Sequence, residues 1–90
     1  MLPAFDIVFI DGGHSYPVVT SDLHVFKPMV AVGGLLVVDD AGNDLNYKAE
    51  YKGWPEVSRA VRDVLDPDPQ FVELFASNSV RVWQRVIPER

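Results

Sequence analysis

Four consecutive apolar residues, Ile7 to Ile10, constrain the fold of this chain more than any other stretch. A short apolar run that is rich in β-branched and aromatic side chains is typical of a β-strand. Because it presents no polar face to water, it predicts a parallel strand that is covered on both sides. Directly after it come Asp11, Gly12, Gly13 and His14. Open α/β sheets bind ligands outside the carboxyl ends of their strands, so this turn is the first candidate site.

A second stretch repeats this design. The pair Gly33-Gly34 precedes the apolar run Leu35 to Val38, and Asp39 and Asp40 follow it. If the two strands are parallel neighbours, Asp11 and the acidic pair emerge side by side. Carboxylates held that close repel one another unless a proton or a cation neutralises them. Because oxygen ligands suit magnesium, calcium or manganese, the pattern predicts a divalent metal site.

The segment between the two strands predicts a helix. Its apolar residues Val19, Leu23 and Phe26 share one helical face, Ser15 is a suitable N-cap, and Pro28 ends the helix after about Lys27. A short apolar connector then leads to the glycine pair, which lets the chain reverse into the second strand. Strand, helix and strand form a βαβ unit with a right-handed crossover.

The remaining chain predicts a loop, a second helix and a hairpin. Residues 41–53, which include Tyr47, Lys48, Tyr51 and Lys52, lack apolar periodicity and are expected to form a loop over the site. An apolar face recurs from Pro55 to Leu65, as in an amphipathic helix. A strand from Phe71 to Phe75, a turn over 76–79 and a strand from Val80 to Ile87 follow. In the last strand Val80, Val82 and Val86 alternate with Arg81 and Arg85.

Composition narrows the class of protein. Ninety residues suit one small domain, and a net charge of −5 with eight scattered basic residues disfavours a nucleic-acid partner. The chain has no cysteine, so an intracellular protein is expected. No apolar run reaches the length of a membrane span. We therefore expect a cytoplasmic protein without a membrane partner.

Three motifs in this order resemble a known family. They are Phe-Asp-Ile-Val-Phe-Ile-Asp-Gly-Gly-His-Ser-Tyr, Val-Gly-Gly-Leu-Leu-Val-Val-Asp-Asp, and Trp-Pro-Glu-Val before the second helix. Together they resemble the C-terminal half of class I methyltransferases that use S-adenosylmethionine. The resemblance is to a metal-dependent O-methyltransferase branch that includes macrocin-type enzymes acting on antibiotic sugars and is related to catechol O-methyltransferase. It implies an α/β fold, a Rossmann-like methyltransferase half-domain spanning residues 1–90.

The resemblance also implies a function and a set of site residues. Methyl transfer to a hydroxyl of a small molecule would be assisted by Mg²⁺ or another divalent cation on Asp11, Asp39 and Asp40. His14 occupies the position of the general base, which suits an imidazole because it exchanges a proton near neutral pH. The resemblance places Asp11 and Gly12 next to the cofactor.

One departure from the family changes what is expected of the chain alone. The family carries its glycine-rich cofactor loop in an N-terminal half, and no Gly-x-Gly-x-x-Gly occurs here. We therefore expect weak or no S-adenosylmethionine binding, and the alternative is a non-catalytic remnant or interaction module that does not bind the cofactor. In the family the strand Phe5 to Ile10 has a further neighbour. Its open edge predicts a homodimer, or pairing with a missing N-terminal half.

Plainer interpretations of the same residues remain open. Asp11 is also a common cap of a glycine turn, and Asp39 and Asp40 are also compatible with solvated strand ends. An apolar strand followed by an acidic pair also occurs in response-regulator receivers. In receivers, however, this acidic pair precedes the strand that resembles Phe5 to Ile10, whereas here it follows that strand. Trp54 and Trp83 are expected to be packing residues, and His24 a surface residue.

Overall fold

The computed structural model describes residues 4–41, 54–77 and 79–87. Its elements are β1 (Phe5–Ile10), α1 (Tyr16–Phe26), a 3₁₀ turn (Lys27–Met29), β2 (Val30–Val38), α2 (Pro55–Val64), β3 (Phe71–Ser77) and β4 (Val80–Arg85). The four strands form one sheet in the order β1-β2-β4-β3, with β1 and β2 parallel and the other pairs antiparallel. This confirms the predicted α/β fold with two parallel strands, two helices and a C-terminal hairpin. In the predicted loop, residues 42–53, with Tyr47, Lys48, Tyr51 and Lys52, lie outside the described residues.

Both helices pack on the same face of the sheet. Val19 and Leu23 of α1 are buried as predicted, while Phe26 remains 37% exposed. The helices contact each other, and they share one core with the inward-facing residues of the strands. Trp83, the largest fully buried side chain, lies in this core and is a packing residue as predicted. The chain thus forms two layers, helices over sheet.

The prediction that the first strand is covered on both sides is wrong. Ile10 of β1 is buried, but Ile7 is 63% exposed and Phe9 is 58% exposed. The reason is that α1 and α2 cover only one face, and side chains alternate between the two faces along a strand. β1 is also an edge strand of the four-stranded sheet, as the resemblance implied.

The second strand begins earlier than predicted, at Val30, and the glycine pair lies inside it. Phe5 pairs with Val30, but the next paired residue of β1, Ile7, pairs with Leu35. β2 therefore uses more residues than β1 over this stretch, and the extra ones form a bulge. A Cβ on Gly34 would lie 2.9 Å from the backbone oxygens of both Asp6 and Ala31. Glycine is therefore needed for close approach of two backbones rather than for a reversal of the chain.

Arg81 and Arg85, which alternate with valines along β4, are both buried. They share the helix-facing side of β4 with Trp83, and their exposed fractions are 4% and 5%. Arg81 donates to both oxygens of Glu73 at 2.9 and 3.0 Å and to Asp66 at 3.2 Å. Burial lowers the pKa of Arg81, but the hydrogen bonds and negative charges of its partners outweigh burial and raise it. The guanidinium therefore stays charged within the fold.

The hairpin and the first helix cap differ from expectation in detail. β3 extends to Ser77 and β4 starts at Val80, so the connection is shorter than the predicted turn. Ser15 is the N-cap residue of α1, but its side chain makes no capping hydrogen bond. The backbone N–H of Tyr16 instead donates to Oε1 of Glu56 on α2 at 3.0 Å. The two helices are joined at the end nearest the candidate site.

Candidate metal site

The predicted acidic residues meet at one edge of the sheet. Asp11 follows β1 and Asp39 follows β2, and the parallel register places Ile10 opposite Val38. The backbone N–H of Asp39 donates to the carbonyl of Ile10 at 3.1 Å. One carboxylate oxygen each from Asp11, Asp39 and Asp40 lies within 4.8 Å of the other two. Asp11 is exposed, and the acidic pair is half-buried.

Hydrogen bonds hold Asp39 in place. Its Oδ1 accepts the backbone N–H of Asp40 at 2.8 Å and the hydroxyl of Ser79 at 2.9 Å. Ser79 reaches this position because β4 pairs antiparallel with β2, with Val38 opposite Arg81. The hairpin connection therefore supports the acidic pair from a distant part of the chain.

The backbone around Asp40 is fixed from three directions. Asp40 has a φ of +59°, in the left-handed region that aspartate tolerates better than most residues. Its carbonyl accepts the N–H of Trp54 at 3.1 Å, and the N–H of Ala41 donates to the carbonyl of Ser79 at 2.8 Å. Arg81 donates to the carbonyl of Ala41 at 3.4 Å. The turn after β2 is thus built by tertiary contacts.

His14 lies against this cluster. Its Nε2 is 2.8 Å from Oδ2 of Asp40, and 43% of its side chain is exposed. The ring stacks on the indole of Trp54, with centroids 4.4 Å apart and planes inclined by 10°. The turn before His14 is tightly packed, because a Cβ on Gly13 would lie 2.6 Å from Cγ1 of Val18. His14 is therefore positioned on one side by a carboxylate and on one face by an aromatic ring.

Two residues of this site were not identified from the sequence. The sequence predicts only that Trp54 is a packing residue; it is 48% exposed, and its ring stacks on that of His14. Ser79 was assigned only to a polar turn. The feature of the sequence that could have indicated this role for Trp54 is its position directly before Pro55, where the second helix begins. No local pattern indicates Ser79, because its contact with Asp39 depends on how β4 enters the sheet.

Comparison with known proteins agrees with this fold. Residues 2–41 match the family model described as "Methyltransferase domain". The structure of the O-methyltransferase NovP has a TM-score of 0.67 at 22% identity, covering 93% of this chain and 31% of that one. A putative O-methyltransferase from Klebsiella pneumoniae has a TM-score of 0.60 at 19% identity, covering 97% and 43%. No curated protein sequence matches the chain.

The fold is similar to part of each of these two O-methyltransferase structures, and the chain spans less than half of the length of either one. The matched segment, 2–41, contains His14 and the three aspartates of the acidic cluster, Asp11, Asp39 and Asp40. These findings support the predicted relationship to S-adenosylmethionine-dependent O-methyltransferases. Among the described residues, no helix is long and apolar enough to cross a bilayer.

Proposed function

We propose that this chain, as a single domain over residues 1–90, contributes to methyl transfer from S-adenosylmethionine to a hydroxyl of a small molecule, assisted by a divalent cation. The observation that carries the proposal is the convergence of Asp11, Asp39 and Asp40 beside His14. The family match over these residues and the likeness to two O-methyltransferases support it. A cytoplasmic location belongs to the same proposal, and the lack of cysteine supports it.

The donor chemistry of the cluster suits a hard divalent cation. Three carboxylates within 4.8 Å repel one another unless positive charge is present. Carboxylate oxygens are the ligands that magnesium and manganese prefer. When bound, such an ion supplies Lewis acidity toward an oxygen of the acceptor. Asp11, Asp39 and Asp40 would hold it.

His14 has the surroundings of a general base. In the tautomer in which Nε2 carries the proton, Nε2–H donates to Asp40 and Nδ1 keeps its lone pair. That lone pair is able to accept the hydroxyl proton as the oxygen attacks the methyl group. Stacking on Trp54 restricts rotation of the ring, so the lone pair keeps one direction.

Thermal denaturation with and without Mg²⁺ or Mn²⁺ tests the metal site. At a concentration of about ten times Kd, binding to the native state stabilises it by about 1.4 kcal/mol, which raises Tm by several degrees. The double variant Asp39→Asn with Asp40→Asn should lose this rise. The control, Asp6→Asn with Asp63→Asn, removes the same charge from exposed positions and should keep it. A rise that persists in the first double variant would place the metal elsewhere.

The alternative function is a non-catalytic module that keeps a methyltransferase-like fold, and the exposed apolar face of β1 favours it. Calorimetric titration with S-adenosylmethionine, with Mg²⁺ present, separates the two. Saturable binding supports methyl transfer by this chain. No heat of binding at millimolar cofactor, with the metal-induced rise in Tm intact, supports the module.

A further inference from the structure

Ser79, in the connection between β3 and β4, is bound at two points to the turn that carries the acidic pair. Its hydroxyl donates to Oδ1 of Asp39 at 2.9 Å, and its carbonyl accepts the backbone N–H of Ala41 at 2.8 Å. One contact fixes a side chain of the turn, and the other fixes its backbone. Ser79 is half-buried, so these contacts are partly shielded from water. The tertiary structure therefore holds the hydroxyl in one place relative to Asp39.

The Asp39 carboxylate is bound through one of its two oxygens. Oδ1 accepts two hydrogen bonds, one from the backbone N–H of Asp40 at 2.8 Å and one from the hydroxyl of Ser79 at 2.9 Å. An ionised carboxylate has about four lone-pair sites, two on each oxygen, so these two donors use both sites of Oδ1. Oδ2 is therefore the oxygen that Asp39 has to offer a cation.

The number of oxygens that a carboxylate offers affects which cation binds. Mg²⁺ requires near-ideal octahedral geometry at short distances, keeps several waters, and is bound through one or two carboxylates. Ca²⁺ takes about six to eight oxygens in flexible geometry, and its carboxylate ligands are often bidentate. A carboxylate that is restricted to one oxygen suits the smaller ion, because it withholds the second oxygen that Ca²⁺ uses.

We propose that Ser79 is a positioning residue of the metal site, whose hydroxyl restricts Asp39 to ligation through Oδ2 and thereby favours Mg²⁺ or Mn²⁺ over Ca²⁺. This inference rests on the proposed function, in which Asp11, Asp39 and Asp40 hold a divalent cation. Ser79 acts through Asp39 and is not itself a ligand. Removing a hydrogen-bond partner of a metal ligand typically lowers metal affinity by about 10- to 100-fold.

Binding of Mn²⁺ to the full chain, measured from the electron paramagnetic resonance signal of the free ion, tests this role. Competition with Mg²⁺ and with Ca²⁺ gives the dissociation constants of those two ions. For Ser79→Ala, we expect the dissociation constants of Mn²⁺ and Mg²⁺ to rise at least about tenfold and that of Ca²⁺ to rise less. Ser77→Ala, at the exposed end of β3, is the matched control and should bind all three ions as the wild type does.

A second pair of variants separates the hydroxyl from the size of the side chain. Threonine and valine are both branched at Cβ and have nearly the same shape, but only threonine carries a hydroxyl. Ser79→Thr should therefore keep the wild-type preference for Mg²⁺ over Ca²⁺, and Ser79→Val should lose it. Circular dichroism and Tm without metal accompany each variant, and folded protein is expected because Ser79 is only half-buried.

Three results would overturn the role of Ser79 while leaving the metal site in place. They are wild-type affinities in Ser79→Ala, a loss by the same factor for Mg²⁺ and Ca²⁺, and equal effects of Ser79→Thr and Ser79→Val. The second result would mean that the turn is disturbed as a whole, since such a change weakens both ions alike. A wild-type chain that binds no Mn²⁺ at millimolar concentration is a different outcome, because it refutes the metal site of the proposed function and this inference with it.

Discussion

Replacing Arg81 by methionine should destabilise the fold strongly, because this buried guanidinium joins three parts of the chain. It donates to Glu73 on β3, to Asp66 after α2, and to the carbonyl of Ala41 beside the acidic pair. It also lies over the ring of Trp83, with the guanidinium carbon 4.8 Å from the ring centroid. Methionine preserves much of the side-chain volume but none of the donors. The substitution therefore tests the hydrogen bonds rather than the packing.

The magnitude follows from the burial of the partners. Removing one member of a fully buried ion pair costs about 3 to 5 kcal/mol. Here the side chain of Arg81 is 5% exposed, but those of Glu73 and Asp66 are 32% and 38% exposed. Water reaches both carboxylates once the guanidinium is gone, so we expect a loss of about 2 to 3 kcal/mol. This is a large part of the total stability of a chain of this size, about 5 to 13 kcal/mol.

Thermal and urea denaturation of Arg81→Met measure the effect, with Arg62→Met as the matched control. Arg62 also pairs with a carboxylate, Asp63 at 3.0 Å, but 67% of its side chain is exposed to water. We expect Tm to fall by about 10 to 20 °C for Arg81→Met in a domain of this length, and no measurable change for Arg62→Met. If the two variants lose the same stability, or if Arg81→Met loses none, the reasoning from burial is wrong.

Two further substitutions test local features of the fold. Burial raises the pKa of Asp68, but hydrogen bonds from Lys27 and from the backbone N–H of Gln70 outweigh it and lower the pKa below its ordinary value. The Asp68 carboxylate therefore stabilises the fold above the unfolded pKa of about 3.9, and this stabilisation is lost as the pH falls further. In urea titrations, the difference in stability between the wild-type protein and Asp68→Asn should shrink in acid and vanish below the folded pKa. A difference that is constant from neutral pH into acid would exclude this charge as the source. Gly34→Ala should lower the free energy of unfolding by about 1 to 3 kcal/mol, because its Cβ would lie 2.9 Å from two backbone oxygens. Gly12→Ala, whose Cβ would be 3.4 Å from Oδ2 of Asp22, is the milder control, and equal losses in the two would contradict the close approach at Gly34.

The helices and the two parallel strands were predictable because their signals are local. The apolar spacing of Val19 and Leu23 indicates a helix whichever way the rest of the chain packs. Strand, helix and strand in succession have one favoured handedness, so the ends of β1 and β2 were expected at the same edge. The meeting of Asp11, Asp39 and Asp40 follows from that rule and is observed.

The contacts that complete the site depend on parts of the chain far apart in sequence. Ser79 reaches Asp39 across 40 residues because β4 enters the sheet beside β2, and no local pattern determines which strand becomes that neighbour. The stacking of Trp54 on His14 likewise requires the start of α2 to lie over the turn after β1.

The same distinction explains which faces of the strands are buried. Alternation along β4 shows that Val82 and Arg81 face opposite ways, but it does not say which face the helices cover. A row with two arginines faces the core because Glu73, Asp66 and backbone carbonyls accept hydrogen bonds from them there. Similarly, four apolar residues in β1 specify a strand, whereas the number of layers that cover it depends on where α1 and α2 pack. Local sequence thus determined the elements and the acidic edge, and tertiary packing decided which faces are buried and which residues surround His14, because burial depends on all the elements together.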